Sequence, residues 1–263
     1  MPDALVLAGG EANPALAHGV PNKAFVSLAG RPMVEFVLRA LRAARSVRRV
    51  AIVAPLPLPP GLAASVDVAV ADRGTLLNNV DAGLRALEGT GRVLVAGADI
   101  PLLTGGAVDA FVEAGQALDA AIVYGVVRRE DVRREFPAIG KTFVRLREGT
   151  LTGGSLILLD PRAFARARSV IERAVRARKH PWELARLFGL RTVLGLLTGT
   201  LRIPDLEERV GRLTGVRARA LIWPSPEIAI DVDSPETLAL VRGRLGGGSS
   251  APSAYEPERI GRP

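Results

Sequence analysis

The chain has no cysteine in 263 residues, which excludes disulfides, thiolate metal sites and cysteine nucleophiles together. Aromatic residues make up only 4% against 48% hydrophobic residues in all, so the core must be built from Val, Leu, Ile and Ala. No apolar run approaches the roughly 18 residues that a membrane span needs. The first residues carry neither the basic start nor the small-residue cleavage site of a secretion signal. These absences predict a cytoplasmic protein with no membrane among its partners. Lysine is scarce too: of 35 basic residues only Lys23, Lys141 and Lys179 are lysine, and 32 are arginine.

The net charge of +8 and a pI near 10.9 raise the question of nucleic-acid binding. The arginines, however, are spread along the chain among Glu and Asp, and aromatic platforms for stacking bases are few. An arginine bias together with small anionic ligands explains the charge, and nucleic acid is not expected as a partner.

Apolar runs at 4–8, 50–54, 66–71, 93–98 and 120–127 read as strands, and 33–44, 76–87 and 107–117 carry helical patterning. Continuous apolar strands separated by helices predict an α/β fold with a mostly parallel central sheet covered by helices on both faces. From residue 128 the rhythm changes. "RREDVRREFPAIGK" reads as a charged loop, followed by two strands around a Glu-Gly-Thr turn and by helices near 161–177, 181–188 and 204–213. "ARALIW" and "EIAIDVD" return to strand pattern, and a last helix is expected over 235–244, with Ser234 as its cap. This organisation predicts one domain over 1–245, a subdomain of about 128–226 inserted in it or folded over its sheet, and a Gly/Ser/Pro-rich disordered tail, 246–263.

Ligands of open α/β sheets bind at the carboxyl ends of strands. Gly9 and Gly10 stand at such an end, where glycine lets backbone amides approach a phosphate; a tight turn explains them as well. Their spacing fits neither a dinucleotide fingerprint nor a Walker loop. Lys23 follows this loop, and a compact ammonium suits a triphosphate whose charge shifts during phosphoryl transfer. Asp99 closes the apolar run "VLVAGAD", and Asp231 and Asp233 follow "EIAI". Two carboxylates from separate strand ends can hold one Mg2+ against phosphate oxygens. Asp233 serves equally as a capping acid. On the acceptor side, Thr152, Gly153 and Gly154 offer a backbone and a hydroxyl to phosphate or hydroxyl groups, although a bend in a strand accounts for the glycines equally. Arg178, Lys179, His180 and Trp182 form a cluster able to clamp an anionic acceptor, or an ordinary helix start with solvated charges.

Taken in order, "LVLAGG", "NKAFVSLAGRPMVEFVLRAL", "GADIPLL" and "DVDSPETLAL" resemble the NTP-transferase superfamily of nucleotidyltransferases, which includes molybdenum-cofactor guanylyltransferase-like and methylerythritol-phosphate cytidylyltransferase-like enzymes. The resemblance covers most of 4–104 and again 228–240. It implies a Rossmann-like GT-A fold and Mg2+-dependent transfer of NMP from an NTP to a phosphorylated small molecule, with release of pyrophosphate. It further implies that Leu7, Ala8, Gly9 and Gly10 line the base and phosphates, and that Lys23 contacts the triphosphate. Asp99 and Asp233 would be the metal-side acids, and the stretch from Asp72 through Gly74 to Thr75 would lie at the base or ribose. One departure stands out: family members often carry an arginine in the loop before the lysine, and here no arginine lies between Gly10 and Lys23. Two other readings remain open at this point. A GT-A glycosyltransferase using an NDP-sugar normally has Asp-x-Asp at the metal strand, where this chain has Gly97-Ala98-Asp99. A nucleotide-binding regulatory protein that has lost the chemistry would fit the missing arginine.

Overall fold

The computed structural model describes residues 1–10, 14–17, 19–89, 91–177 and 181–246. The chain opens with β1 (Asp3–Leu7), a small hairpin of β2 (Ser27–Leu28) and β3 (Arg31–Pro32), and α1 (Met33–Ala43). There follow β4 (Val50–Ala54), a short α2 (Pro60–Ala63), β5 (Val68–Ala71), α3 (Leu76–Leu87), β6 (Val93–Gly97), α4 (Gly105–Ala117) and β7 (Ile122–Arg128). The second half adds α5 (Arg129–Glu135), β8 (Val144–Leu146), β9 (Gly149–Leu159), α6 (Pro161–Ala177), α7 (Pro181–Phe188), α8 (Leu190–Thr198), α9 (Ile203–Thr214), β10 (Ala218–Trp223) and α10 (Pro235–Gly246).

The sheet runs β10–β7–β9–β6–β1–β4–β5, with β8 paired to β9 outside this path. β1, β4, β5 and β6 pair in parallel, and β7 pairs in parallel with β10; β9 runs against both its neighbours, β6 and β7. The apolar strands β1, β4 and β6 read as doubly buried because they are. In β1, Ala4 and Val6 pack with α1, α4 and α10, while Leu5 faces the opposite core with α3 and Phe164 of α6. The fold is therefore the α/β arrangement with a mostly parallel sheet that the sequence implies.

Two expectations change. The "EIAIDVD" segment is not a strand. It opens with a 3-10 turn at Pro226–Ala229 and continues without strand pairing. Ile228, Ala229, Ile230 and Val232 are each at most 1% exposed, so a buried apolar run imitates strand patterning without joining the ladder. The charged loop after β7 contains α5, with Glu130 and Asp131 in its first turn and Arg133 and Arg134 in its last, an order that favours the helix dipole. The segment 128–226 contributes strands to the main sheet itself. β9 lies inside the sheet between β6 and β7, and β10 forms its edge. This half also adds a small separate core on the sheet, in which Val126 of β7, Leu146 of β8 and Leu151 of β9 pack with Leu201 and Ile203. The tail expected from 246 onward begins inside α10 at Gly246, and 247–263 lie outside the described residues.

Candidate active site

The carboxyl end of β1 passes directly into a tight turn. Ala8 is buried and its N–H donates to the Val53 carbonyl at 2.8 Å, which carries the strand one residue beyond its ladder. At Gly9 a Cβ would stand 2.5 Å from Asp72 Oδ1 and 2.6 Å from Asn79 Nδ2, so only glycine lets the loop pass this close to the end of β5. Gly10 has φ of 110° and its N–H donates to Asp72 Oδ2 at 2.9 Å. Asp72 also accepts from Gly74 N (2.9 Å) and Asn79 Nδ2 (2.8 Å). Burial opposes the charge of Asp72, but these donors outweigh it and hold its pKa below the usual carboxylate range.

Two sequence expectations are refined by this turn. The Gly10 amide is engaged by Asp72, and both Asp72 oxygens are engaged by the turn, so Asp72 shapes the loop through its own hydrogen bonds. Thr75 caps α3, accepting from Asn78 N at 3.3 Å. Leu7 is half-buried and Gly74 is exposed beside the same turn, with φ of 78°.

The loop returns at Asn22, which is 2% exposed. Its Nδ2 donates to the Ala8 carbonyl at 2.9 Å, and its Oδ1 accepts from Ala24 N at 3.0 Å, capping a 3-10 turn at Lys23–Phe25. One buried amide thus ties the loop's return to the end of β1 and fixes where Lys23 leaves the backbone. Lys23 Nζ lies 2.6 Å from Asp99 Oδ2 and also pairs with Asp233 Oδ1. Burial works against the ammonium, but Asp99 and Asp233 outweigh it and raise the Lys23 pKa above its ordinary value. Asp99 leaves the end of β6 just after Ala98, whose N–H donates to the Leu7 carbonyl. The structure therefore brings Lys23, Asp99 and Asp233 to one point, although they lie as much as 210 residues apart in sequence.

Asp231 belongs to the same cluster. Burial and a hydrogen bond with Asp233 push its pKa up to about 6, against the pull of Lys141. Asp233 is held below the usual range: burial opposes its charge, but Asp231 and Lys23 overcome the penalty. Lys141, which sequence reasoning passed over, pairs with Asp231 and donates to the Ala229 carbonyl at 2.5 Å. The signal that could have found it was present, since the scarcity of lysine that drew attention to Lys23 applies equally to Lys141.

Beside this cluster the surface of β9 and β7 is open. Gly153 is exposed below the hydroxyl of Tyr124, where a Cβ would collide. Ser155 lies next to Gly97, whose own Cβ would come 2.6 Å from Asp99 Oδ1. Burial, with Asp231 nearby, raises the Tyr124 pKa. Thr152, by contrast, is only 6% exposed, and Gly154 is buried against Ile228, so these two pack inside instead of presenting themselves to an acceptor. Trp182 is 78% exposed on α7, which packs on α6 and α8, elements that carry none of Lys23, Asp99 and Asp233. Arg178, Lys179 and His180 lie outside the described residues. Two clefts, of about 490 and about 450 Å3, share no residue with the cluster and are lined from α6 to α9, with Arg209 in both. Size alone does not make either the reaction site, because neither gathers the lysine and aspartates found at the strand ends.

Among the described residues no three Asp, Glu or His side chains form a complete cage for a metal ion. Asp99 and Asp233 instead offer two hard oxygen donors facing one cation, Lys23. That donor set fits Mg2+, which keeps waters and phosphate oxygens in most of its octahedron.

An open, mostly parallel sheet with acids and a lysine at its strand ends defines a nucleotide-handling α/β protein. Residues 4–193 match the MobA-like NTP transferase domain, and the chain belongs to that family. It is a transferase of the nucleotidyltransferase class. A hypothetical transferase from Thermus thermophilus is 43% identical, with 90% of this chain and 100% of that chain covered and a TM-score of 0.80. A CMP:2-keto-3-deoxy-manno-octonic acid synthetase complexed with CTP is 12% identical, with 93% and 99% covered and a TM-score of 0.62. A 4-diphosphocytidyl-2C-methyl-D-erythritol synthase from Anaerococcus prevotii is 11% identical, with 93% and 97% covered and a TM-score of 0.58. At such identities the last two establish likeness of fold. The family match ends before Asp231 and Asp233, so their place beside Asp99 rests on geometry. No helix among the described residues is long and apolar enough to cross a membrane.

Proposed function

We propose that this protein is a Mg2+-dependent nucleotidyltransferase that moves a nucleoside monophosphate from an NTP to a phosphorylated small molecule and releases pyrophosphate. The observation that carries the reading is the convergence of Lys23, Asp99 and Asp233 beside the Gly9–Gly10 turn. A nucleotide would lie against Leu7 and the Gly9–Gly10 turn, which Asp72 and Asn22 shape. Lys23 then moves from its aspartates to the triphosphate, where its charge stabilises the α-phosphate and the departing pyrophosphate. Asp99 and Asp233 would hold Mg2+, which supplies further neutralisation of phosphate charge.

The acceptor lies across the cluster on the open β9–β7 surface, at Gly153, Ser155 and Tyr124. An oxygen of its phosphate attacks the α-phosphorus, and the bond from that phosphorus to the bridging β-phosphate oxygen breaks with its electron pair leaving on pyrophosphate. A phosphate monoester is largely ionised near neutral pH and needs no general base. Catalysis is then mainly positioning and electrostatics.

The test has two stages. Thermal stabilisation is measured with each of the four ribonucleoside triphosphates, with and without Mg2+. Pyrophosphate release is then followed against a panel of phosphorylated metabolites with the nucleotide that binds best. Mg2+-dependent stabilisation by one base and pyrophosphate release with one acceptor are expected. Tight NTP binding with no pyrophosphate release on any acceptor would reject the transfer reading in favour of a binding protein.

A further inference from the structure

Asp233 is carried by a segment outside the sheet ladder. The segment that carries it, 226–234, pairs with no strand. Its apolar residues Ile228, Ile230 and Val232 bury one side. A backbone bond, Val232 N to the Asp99 carbonyl at 2.9 Å, ties it to the end of β6. Three carboxylates, Asp99, Asp231 and Asp233, crowd this end, and like charges at contact distance push one another apart. Lys23 answers two of them.

Lys141 answers the third. Its side chain is 13% exposed, and its ammonium grips the segment twice within three residues, at the Ala229 carbonyl and at the Asp231 carboxylate. The loop that delivers it is itself anchored. Phe136 and Ile139 are each 3% exposed, and Arg244 of α10 lies over the Phe136 ring at 5.6 Å while reaching Glu135 at 3.4 Å. α10 is the helix into which Asp233 leads, so the segment and its clamp are tied to the same neighbours. A compact ammonium suits this place, because one nitrogen must serve a carbonyl and a carboxylate together in a nearly closed space.

We propose that Lys141 is a positioning residue: by clamping the 229–231 backbone and Asp231, it sets Asp233 beside Asp99 and Lys23. This rests on the nucleotidyltransferase reading for its purpose, but the clamp can be judged separately. Lys141 touches Asp231 and not the place proposed for triphosphate, so it acts on the metal-side carboxylates through the segment. Partners that orient ligating groups typically change metal affinity by on the order of 10–100-fold.

The test compares wild type, Lys141→Met, Asp231→Asn and the double variant by amide hydrogen exchange and by affinity for each of the four ribonucleoside triphosphates, in Mg2+ and in EDTA. Lys141→Met is expected to speed exchange across 229–233 by on the order of 10-fold, with β1, β6 and α10 unchanged. It should also lose on the order of 10-fold of the Mg2+-dependent part of NTP affinity, while affinity in EDTA stays within about two-fold. The double variant should be no worse than the more damaged single variant, because the two side chains act as one unit. Unchanged exchange at 229–233 would overturn the clamp, as would additive losses. A fall in EDTA affinity with unchanged exchange would make Lys141 a direct phosphate ligand and overturn the proposal in another way. If Lys141→Met does not fold, Asp231→Asn alone carries the exchange test. If wild type binds no NTP, the nucleotidyltransferase reading fails, whereas the exchange result still decides the clamp.

Discussion

At the scale of single residues, the charges of the candidate site meet at Lys23. Its pKa, raised by Asp99 and Asp233 against burial, keeps it charged throughout neutral and mildly alkaline pH. Its contribution to NTP binding should therefore show no pH break between about 6 and 9. Replacing it by alanine should remove on the order of 2–4 kcal/mol of transition-state stabilisation, as for one preorganised electrostatic donor. Lys23→Arg should rescue only part of this, since a planar fork replaces a compact ammonium poorly between two carboxylates. Wild-type turnover and NTP affinity in both variants would strip the loop of its proposed role. Asp99→Asn should keep the melting temperature within a few degrees yet lose the Mg2+-dependent part of NTP stabilisation; unchanged Mg2+ dependence would remove Asp99 from the metal side. Lys23 and Asp99 stood out in the sequence because one follows a glycine-containing loop, the other closes an apolar strand, and both fall in a motif. Lys141 was marked only by the scarcity of lysine, because "AIGKTF" carries no motif and its partner Asp231 lies 90 residues away.

The elements divide in the same way. β1, β4, β6, α1 and α3 declare themselves in sequence because strands buried on both faces are continuously apolar and the helices alternate with them. Where burial comes without backbone pairing, as at Ile228–Ala229–Ile230, the same apolar signal misleads, since side-chain burial does not report which amides join a ladder. The glycine pairs show a similar split. Gly9 and Gly10 were visible as a turn, but the groups that require it, Asp72 and Asn79, are known only once β5 and α3 are placed. Asn22 is the most testable of these hidden supports. Asn22→Ala deletes the donor to the Ala8 carbonyl and the acceptor for Ala24 N in a site 2% exposed. Leaving such groups unsatisfied should cost about 1–3 kcal/mol, read as a lower urea midpoint. NTP affinity should fall as well, because Lys23 loses the turn that aims it. A stability loss with unchanged NTP affinity would show that the turn and the lysine are independent.

Across the whole molecule, charge is arranged so that the two ends of the sheet do different work. At the carboxyl end, lysines and aspartates face one another around a site open to solvent. At the amino end, Asp3 is 4% exposed and receives Arg48 through two bonds of 3.0 Å and Arg49 Nη2 at 2.7 Å. Arg49 also donates to the Leu87 carbonyl at 2.5 Å, so one carboxylate joins the start of β1, the loop before β4 and the end of α3. Burial opposes the charge of Asp3, but the two guanidiniums prevail and hold its pKa below the usual value. A depressed carboxylate pKa contributes stability that is present above the unfolded value, near 3.9, and is lost as pH falls through the lower folded value. Asp3→Asn should therefore destabilise the protein by about 2 kcal/mol at pH 7, less than the roughly 3–5 of a fully buried pair because both guanidiniums reach water. The gap between variant and wild type should narrow as pH is lowered below about 4, where the unfolded chain's carboxylate takes up a proton first, and close once pH falls below the lowered folded value. Urea unfolding at pH 7 and pH 3 measures both values. A gap of equal size at the two pH values would mean that shape, not charge, is what Asp3 contributes. NTP affinity should be untouched in this variant, because the tie lies at the end of the sheet opposite the site.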